Sequence, residues 1–305
     1  MVPNTDATTG HEPLRGAALV VLGAVAYGLL ATVVRLAYAR GFSPGQVVGA
    51  QMGFGCVGLW MLAFGLRTVK RLEARVVLGL LIAGIPTGLT GAFYYGAVHE
   101  LGSASLAIVL LFQFTWMGVL LDAALARRRP TSDEVASLTV LFVGTILATG
   151  VVEGSLRALA PIGFVLGLAS AASYAAVIFV SGRVALEVDA WYRSALLGTG
   201  SMLTVFALHP PRFLVDGSLA HGLLGPSFAT ALLGPIVPTI CFAIGVPRIG
   251  ASLASILGAV ELPAAMIAAR LILGEPTSAL QWLGMLVILA GIALPRLRSL
   301  RAAPR

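Results

Sequence analysis

Long stretches almost free of charge recur from one end of this 305-residue chain to the other, separated by short polar gaps. A helix rises 1.5 Å per residue, so about 20 residues cross a hydrocarbon core roughly 30 Å thick. Residues from the set AVILMFWYC make up 58% of the chain and charged residues 11%, against about 25% charged in a typical soluble domain. Mean hydropathy is +0.95. With 20 Lys+Arg and 13 Asp+Glu, the chain has too few charges to cover a water-facing surface of this size. Soluble enzymes, secreted disulfide scaffolds and disordered proteins are excluded, leaving an all-α integral membrane protein.

Splitting the chain at its charged and Gly/Pro-type breaks predicts ten transmembrane helices, over 16–38, 45–66, 76–98, 103–124, 134–152, 161–184, 190–208, 219–246, 251–273 and 279–297. The span holding Pro226, Pro235 and Pro238 is expected to be irregular. The net charge of +7 could suggest nucleic acid, but its carriers sit in the gaps rather than on one face, so it reads as a topology code. With the N-terminus inside, Arg15, Arg67, Lys70, Arg71, Arg75, Arg127, Arg128, Arg129, Arg183, Arg193, Arg248, Arg296, Arg298, Arg301 and Arg305 are cytoplasmic. Only Arg35, Arg40, Arg157, Arg212 and Arg270 fall outside, so both termini are expected in the cytoplasm. Cys56 and Cys241 lie within apolar stretches and read as small core residues. Residues 1–13, with Asp6 and Glu12, do not resemble a signal peptide.

The chain also repeats itself at a separation near 147 residues. Tyr27-Gly28 corresponds to Tyr174-Ala175, and the segment starting at Gly102 corresponds to the one starting at Gly250. Pro130-Thr131-Ser132 matches Pro276-Thr277-Ser278, and Gly144 matches Gly291. Five spans is an odd number, so the second copy must be inverted. The flanking charge agrees: Arg127-Arg128-Arg129 follows the fourth span, and Gly274-Glu275-Pro276 follows the ninth. The expected organisation is a cytoplasmic tail (1–15), a first five-helix repeat (16–152), a second, inverted five-helix repeat (153–297) and a basic cytoplasmic tail (298–305). Inverted repeats characterise secondary transporters, with the substrate site near mid-membrane between the repeats.

These residues resemble the EamA-type branch of the drug/metabolite transporter superfamily. The likeness is carried by Tyr27-Gly28 followed by Arg35, by Ser43-Pro44, and above all by Glu261-Leu262-Pro263, Gly274-Glu275, Gln281-Trp282-Leu283-Gly284 and Ala290-Gly291. It covers nearly the whole chain in two copies, and its motifs mark architecture more than substrate. The first repeat departs from the pattern with Gln113-Phe114-Thr115 and has no Gly-Glu turn, while Leu262 separates Glu261 from Pro263. The resemblance implies an exporter.

Glu261 is the acidic residue nearest mid-membrane. An ionised carboxylate there costs at least ~2.5 kcal/mol, so it should face a cavity or a partner, and protonation during a transport cycle is physically reasonable. The alternative is a protonated Glu261 donating to the carbonyl that Pro263 frees. Gln113, its repeat counterpart, is expected to face it as a substrate contact or as interhelical glue. Tyr27, Tyr94, Tyr95, Trp116, Tyr174 and Phe242 are the aromatic candidates for a pocket, with ordinary helix packing as the alternative. Gln51 lines the cavity or bonds a neighbour. Pro86, Pro235 and Pro238 are repeat-related kinks and candidate gating elements. Gly45, Gly49 and Gly53 form a close-packing ridge, Arg35 is expected to snorkel outward, and Glu275 belongs to a turn.

The leading reading is a secondary active transporter in the cell (inner) membrane, exporting small organic solutes such as amino acids, related metabolites or amphipathic drugs by alternating access. Phosphorylated solutes are disfavoured because no mid-span Lys or Arg could clamp them. An intramembrane enzyme, or a receptor or channel, is the alternative, but no H-E-x-x-H, paired aspartates or Ser/His couple falls within the spans. No cofactor or metal is called for. No ATP-binding motif is present, so a proton gradient or a counter-substrate must drive transport. The expected partners are the small-molecule substrate and the lipid bilayer, not nucleic acid, with the chain acting as a monomer or homodimer.

Overall fold

Local chemistry places most of the helix ends. The computed structural model describes residues 11–125, 127–129, 131–149, 160–181 and 183–302. Helix α1 spans His11–Ala39. Helix α2 (Pro44–Gly65) begins at a capping box: Ser43 Oγ accepts from the Gln46 N–H while the Ser43 N–H donates to Gln46 Oε1. Pro44 fills the first turn, where its missing N–H costs nothing. Helices α3 (Ala74–Ala83) and α4 (Ile85–Leu101) form one bent span, with Pro86 at the start of its second half.

Gly102 ends α4 at φ +63°, and its counterpart Gly250 lies at φ +80° before α12, a conformation that favours glycine at both turns. Then follow α5 (Ala104–Leu111), α6 (Phe114–Leu125), α7 (Ser132–Ala148), α8 (Pro161–Ser181) and α9 (Ala190–Leu208). Asp189 caps α9 by accepting from the Trp191 N–H. Helices α10 (Leu224–Ala231) and α11 (Val237–Ile249) continue one span through π turns at Leu219–Leu223 and Leu232–Ile236, the second containing Pro235. Helices α12 (Ala251–Gly258), α13 (Glu261–Leu273) and α14 (Ala279–Ala302) complete the chain.

No strand occurs among the described residues. Among the described residues, seven helical stretches are long and apolar enough to cross a membrane: Pro13–Ala39, Pro44–Gly65, Ala74–Leu101, Ala104–Leu125, Pro161–Val180, Leu219–Ile249 and Ile256–Leu273. Leu138–Ala148 and Ala279–Ala293 are shorter apolar helices, and α9, with Arg193, belongs to neither group. Helix α1 begins ahead of the expected span, and α14 runs on past residue 297. The expected repeat boundary at 152/153, Pro130, Arg157, Arg305 and residues 1–10 of the N-terminal tail lie outside the described residues.

Helix pairing joins the halves. Helix α4 packs along α8, as α11 packs along α1; α2 packs along α9, and α7 along α14. Exchanging each helix for its repeat counterpart returns the same set of pairs, so the interface has pseudo-twofold character. The α7–α14 crossing is close because glycines meet there: a Cβ on Gly144 would lie 2.8 Å from the Ile288 N, and one on Gly284 would run into the Ala148 backbone. The ridge of Gly45, Gly49 and Gly53 accepts aromatic rings instead of another backbone, His209 against the first and Phe213 against the second. The tightest approach on α2 is at Gly55 and Gly58, against Pro235 and Ile236 of the π turn. Arg35 is half-buried, and its Nε is buried without a hydrogen-bond partner.

Two spans break at repeat-related points by different chemistry. Between α12 and α13, Pro263 has no N–H to give the Ala259 carbonyl, which instead accepts from the Leu262 N–H at 3.2 Å. That carbonyl is therefore satisfied without Glu261. Between α5 and α6 there is no proline, and side chains do the work. The Gln113 N–H bonds the Leu110 carbonyl, Gln113 Nε2 takes the Val109 carbonyl at 2.8 Å, and Thr115 Oγ1 donates to the Phe112 carbonyl at 2.6 Å.

Candidate functional site

The α12–α13 break puts Glu261 in the first turn of α13, where α1 crosses it. A Cβ on Gly28 would lie 2.6 Å from the Glu261 carbonyl oxygen and 2.8 Å from Ala264 Cβ. Only glycine allows this approach, and it brings the preceding residue, Tyr27, to the same place.

Beside that crossing is a cavity of about 240 Å³ walled by α1, α2, α4, α5, α8, α9, the Pro235 turn and the starts of α11 and α13. Tyr27, Gln51, Tyr94, Tyr95, Tyr174, Pro235 and Glu261 line it. A second cavity of about 350 Å³ shares Tyr27, Tyr174 and Glu261, and adds Phe112, Phe114 and Phe242. Glu261 and the two repeat-related tyrosines thus form a common wall. Phe114 meets Tyr174 edge-on at 4.7 Å between ring centroids, and Tyr27 tilts against Phe242 at 6.1 Å. These centroid separations suit favourable aromatic packing.

Polar atoms buried behind the wall of the first cavity are incompletely satisfied. Gln51 Nε2 donates to the Thr230 carbonyl at 3.2 Å, while its Oε1 is buried with no partner. The Tyr95 hydroxyl is likewise buried, with Thr230 beside it, and the Tyr95 carbonyl accepts from the Tyr38 hydroxyl at 3.0 Å. Leaving a group such as Gln51 Oε1 unmet costs about 1–3 kcal/mol. Glu261 is half-buried, with no hydrogen bond to its carboxylate among the described residues. Neither cavity is lined by Lys or Arg, so Glu261 is the charged group of both walls.

Gln113 and Trp116 line neither cavity. Gln113 Nε2 also donates to Thr145 Oγ1 at 2.8 Å, and its Oε1 accepts from Trp116 Nε1 at 2.9 Å. This buried amide ties the α5–α6 break to α7 and does not face Glu261 across the cavity. Pro86 and Pro238 stand at helix starts beside the irregular segments, outside both linings.

Hydroxyl residues of the wall, among them Thr87, Thr90, Ser194, Ser201 and Thr239, were not singled out from sequence, and Cys56, expected as a core residue, also lines it. Ser194, Gly198 and Ser201 share one face of α9 at helical spacing, and that stripe of small polar residues was the available signal. Among the described residues no group of three His, Cys, Asp or Glu could hold a metal ion.

Comparison with known proteins agrees with this architecture. A protein of Archaeoglobus fulgidus described as an uncharacterized transporter is 27% identical over 286 residues, spanning 92% of this chain and 95% of that one. A solved crystal structure of a protein 17% identical superposes with a TM-score of 0.65, covering 94% of this chain and 99% of the other, which shows a shared fold. The model of the EamA-like transporter family matches twice, over residues 14–150 and 161–296. With both halves matched, this multi-pass membrane protein belongs to the EamA-like transporter family.

Proposed function

We propose that the protein is a secondary active transporter that exports small organic solutes across the cell (inner) membrane by alternating access, its site lying between the two repeats. Amino acids, related metabolites and amphipathic drugs are the substrate classes that suit an aromatic chamber with one carboxylate and no cation. The observation that carries the reading is the wall that Glu261 shares with the repeat-related Tyr27 and Tyr174 between two cavities. A solute bearing a donor and an apolar body suits a wall of one carboxyl group and aromatic rings.

The topology behind the proposal is ten spans in two inverted repeats, 16–152 and 153–297, with both termini cytoplasmic. We count the seven long apolar helices, the two shorter ones and α9 as those spans, and orient them by the positive-inside rule. On this orientation the cavity reaches toward the cytoplasm, past Leu59 near the end of α2 and Ser194 near the start of α9. Pro86, Pro235 and Pro238, at the bent and π-turn segments, are the hinges we assign to gating.

The test is efflux from proteoliposomes loaded in turn with each amino acid and with a panel of amphipathic amines, with and without a pH gradient. Accumulation against a gradient is expected for the wild type and lost in Glu261→Gln. Unchanged transport by Glu261→Gln at every pH would remove Glu261 from the mechanism.

A further inference from the structure

One carboxylate joins the two repeats across the face where α4 turns into α5 and α13 into α14. Glu275 accepts from the Ala104 N–H at 2.7 Å, Ser103 Oγ at 2.9 Å, the Ser105 N–H at 3.2 Å and Ser105 Oγ at 2.5 Å. These donors form the first turn of α5, whose positive dipole end favours an anion. Bonds donated to an ionised acceptor are roughly twice as strong as neutral ones.

The turn that presents Glu275 is itself held in place. Its N–H bonds the Ala269 carbonyl, and Arg270 Nη1 donates to both the Thr277 carbonyl and Thr277 Oγ1. Trp282 Nε1 reaches Thr277 Oγ1 at 3.1 Å, and Ser278 and Gln281 form a capping box at the start of α14.

We propose that Glu275 is the latch that holds this face shut, and that its release from α5 opens the face during the transport cycle. The inference rests on the alternating-access reading for its role, and on the contacts alone for its location. The matching position on the opposite face holds a cation instead. At separations of 148, 147 and 146 residues the counterpart of Glu275 is Arg127, Arg128 or Arg129, and a cation is repelled by the positive end of a helix. The two faces are therefore not interchangeable. The latched face, external by the charge count, is the one biased to stay closed, and the cavity reaches toward the other.

The test is a distance measurement between spin labels in nanodiscs. Cys56 and Cys241 are replaced by alanine, and labels are placed at Glu100→Cys and Ala279→Cys, two exposed positions on either side of the latch. The parent protein is expected to give one short distance. Glu275→Ala is expected to add a longer one, raising the open-to-closed ratio at least about tenfold, the effect of losing even one charge-assisted hydrogen bond.

Glu275→Gln keeps one acceptor oxygen and should shift the ratio the same way by less; it carries the test if Glu275→Ala does not fold. Unchanged distances in both variants, in protein that stays monodisperse, would overturn the latch. A parent that moves no solute, with a face that still opens in Glu275→Ala, would sink the transport reading and leave the latch standing. A transporting parent whose face ignores both substitutions would do the reverse.

Discussion

Gln51 and Gln113 are buried almost equally, at 3% and 5% exposure, yet their surroundings predict opposite outcomes for the same substitution. Replacing Gln113 by leucine strips the Val109 carbonyl and Trp116 Nε1 of their partners at the α5–α6 break. At about 1–3 kcal/mol for each stranded group, partly offset by added apolar burial, the loss should be about 2–4 kcal/mol. Replacing Gln51 by leucine removes one hydrogen bond, to the Thr230 carbonyl, and also removes an Oε1 that had no partner. The two changes oppose each other, so stability should move by no more than about 1 kcal/mol.

Reversible unfolding in mixed micelles, followed by tryptophan fluorescence, measures the first quantity, and proteoliposome efflux per folded molecule measures the second. Gln113→Leu should lose stability and keep transport, while Gln51→Leu should keep stability and lose transport. A Gln51→Leu protein that is as unstable as Gln113→Leu, yet transports normally, would refute the division of these residues into cavity and framework.

Other consequences follow from the same geometry. Gly28→Ala forces a methyl against the Glu261 carbonyl and Ala264 Cβ; it should cost about 1–3 kcal/mol and lower the melting temperature, and an unchanged melting curve would show that α1 and α13 are not tightly apposed. Pro263→Ala restores an N–H that can reach the Ala259 carbonyl, so the α12–α13 break should straighten, with slower transport at equal or higher thermal stability. Outside the membrane, hydrogen bonds from Ser218, and then from Gln46, hold the Asp216 carboxyl below its ordinary range. A depressed folded value means the stabilisation is full above the unfolded value, about 4, and is lost as pH falls through the folded value. Amide protection in the 213–218 turn, taken relative to the intrinsic exchange rate at each pH, should therefore be flat at neutral pH and fall only in acid; protection already lost near neutrality would contradict that assignment.

Much of the site was legible along the chain because a membrane penalises misplaced polarity. Glu261 stood out as a carboxylate far from either end of its span, and Tyr27 and Tyr174 stood out as mid-span mates of a repeat; the structure brings all three to the wall shared by two cavities. Gln113 carried the same signal as Gln51, a polar residue in an apolar span, and resolved differently. Sequence position gives depth in the bilayer but not azimuth around a helix, and azimuth separates a cavity wall from an interhelical bond. The hydroxyls at Thr87, Thr90, Ser194 and Ser201 escaped notice because such groups can return a hydrogen bond to their own helix, as Thr90 Oγ1 does to the Pro86 carbonyl.

By itself, the sequence determined that the chain is helical and apolar, that it is duplicated, and that its breaks fall near Pro86, Pro235, Pro238 and Pro263; these depend on composition, period and backbone covalency, which are local properties. Only the tertiary structure decided which helices pair across the repeats, that Gly28 brings Tyr27 to Glu261, and that the turn residue Glu275 crosses to cap the opposite repeat. Each of those depends on approach distances between segments far apart in the chain, and close packing settles such distances among all the helices at once.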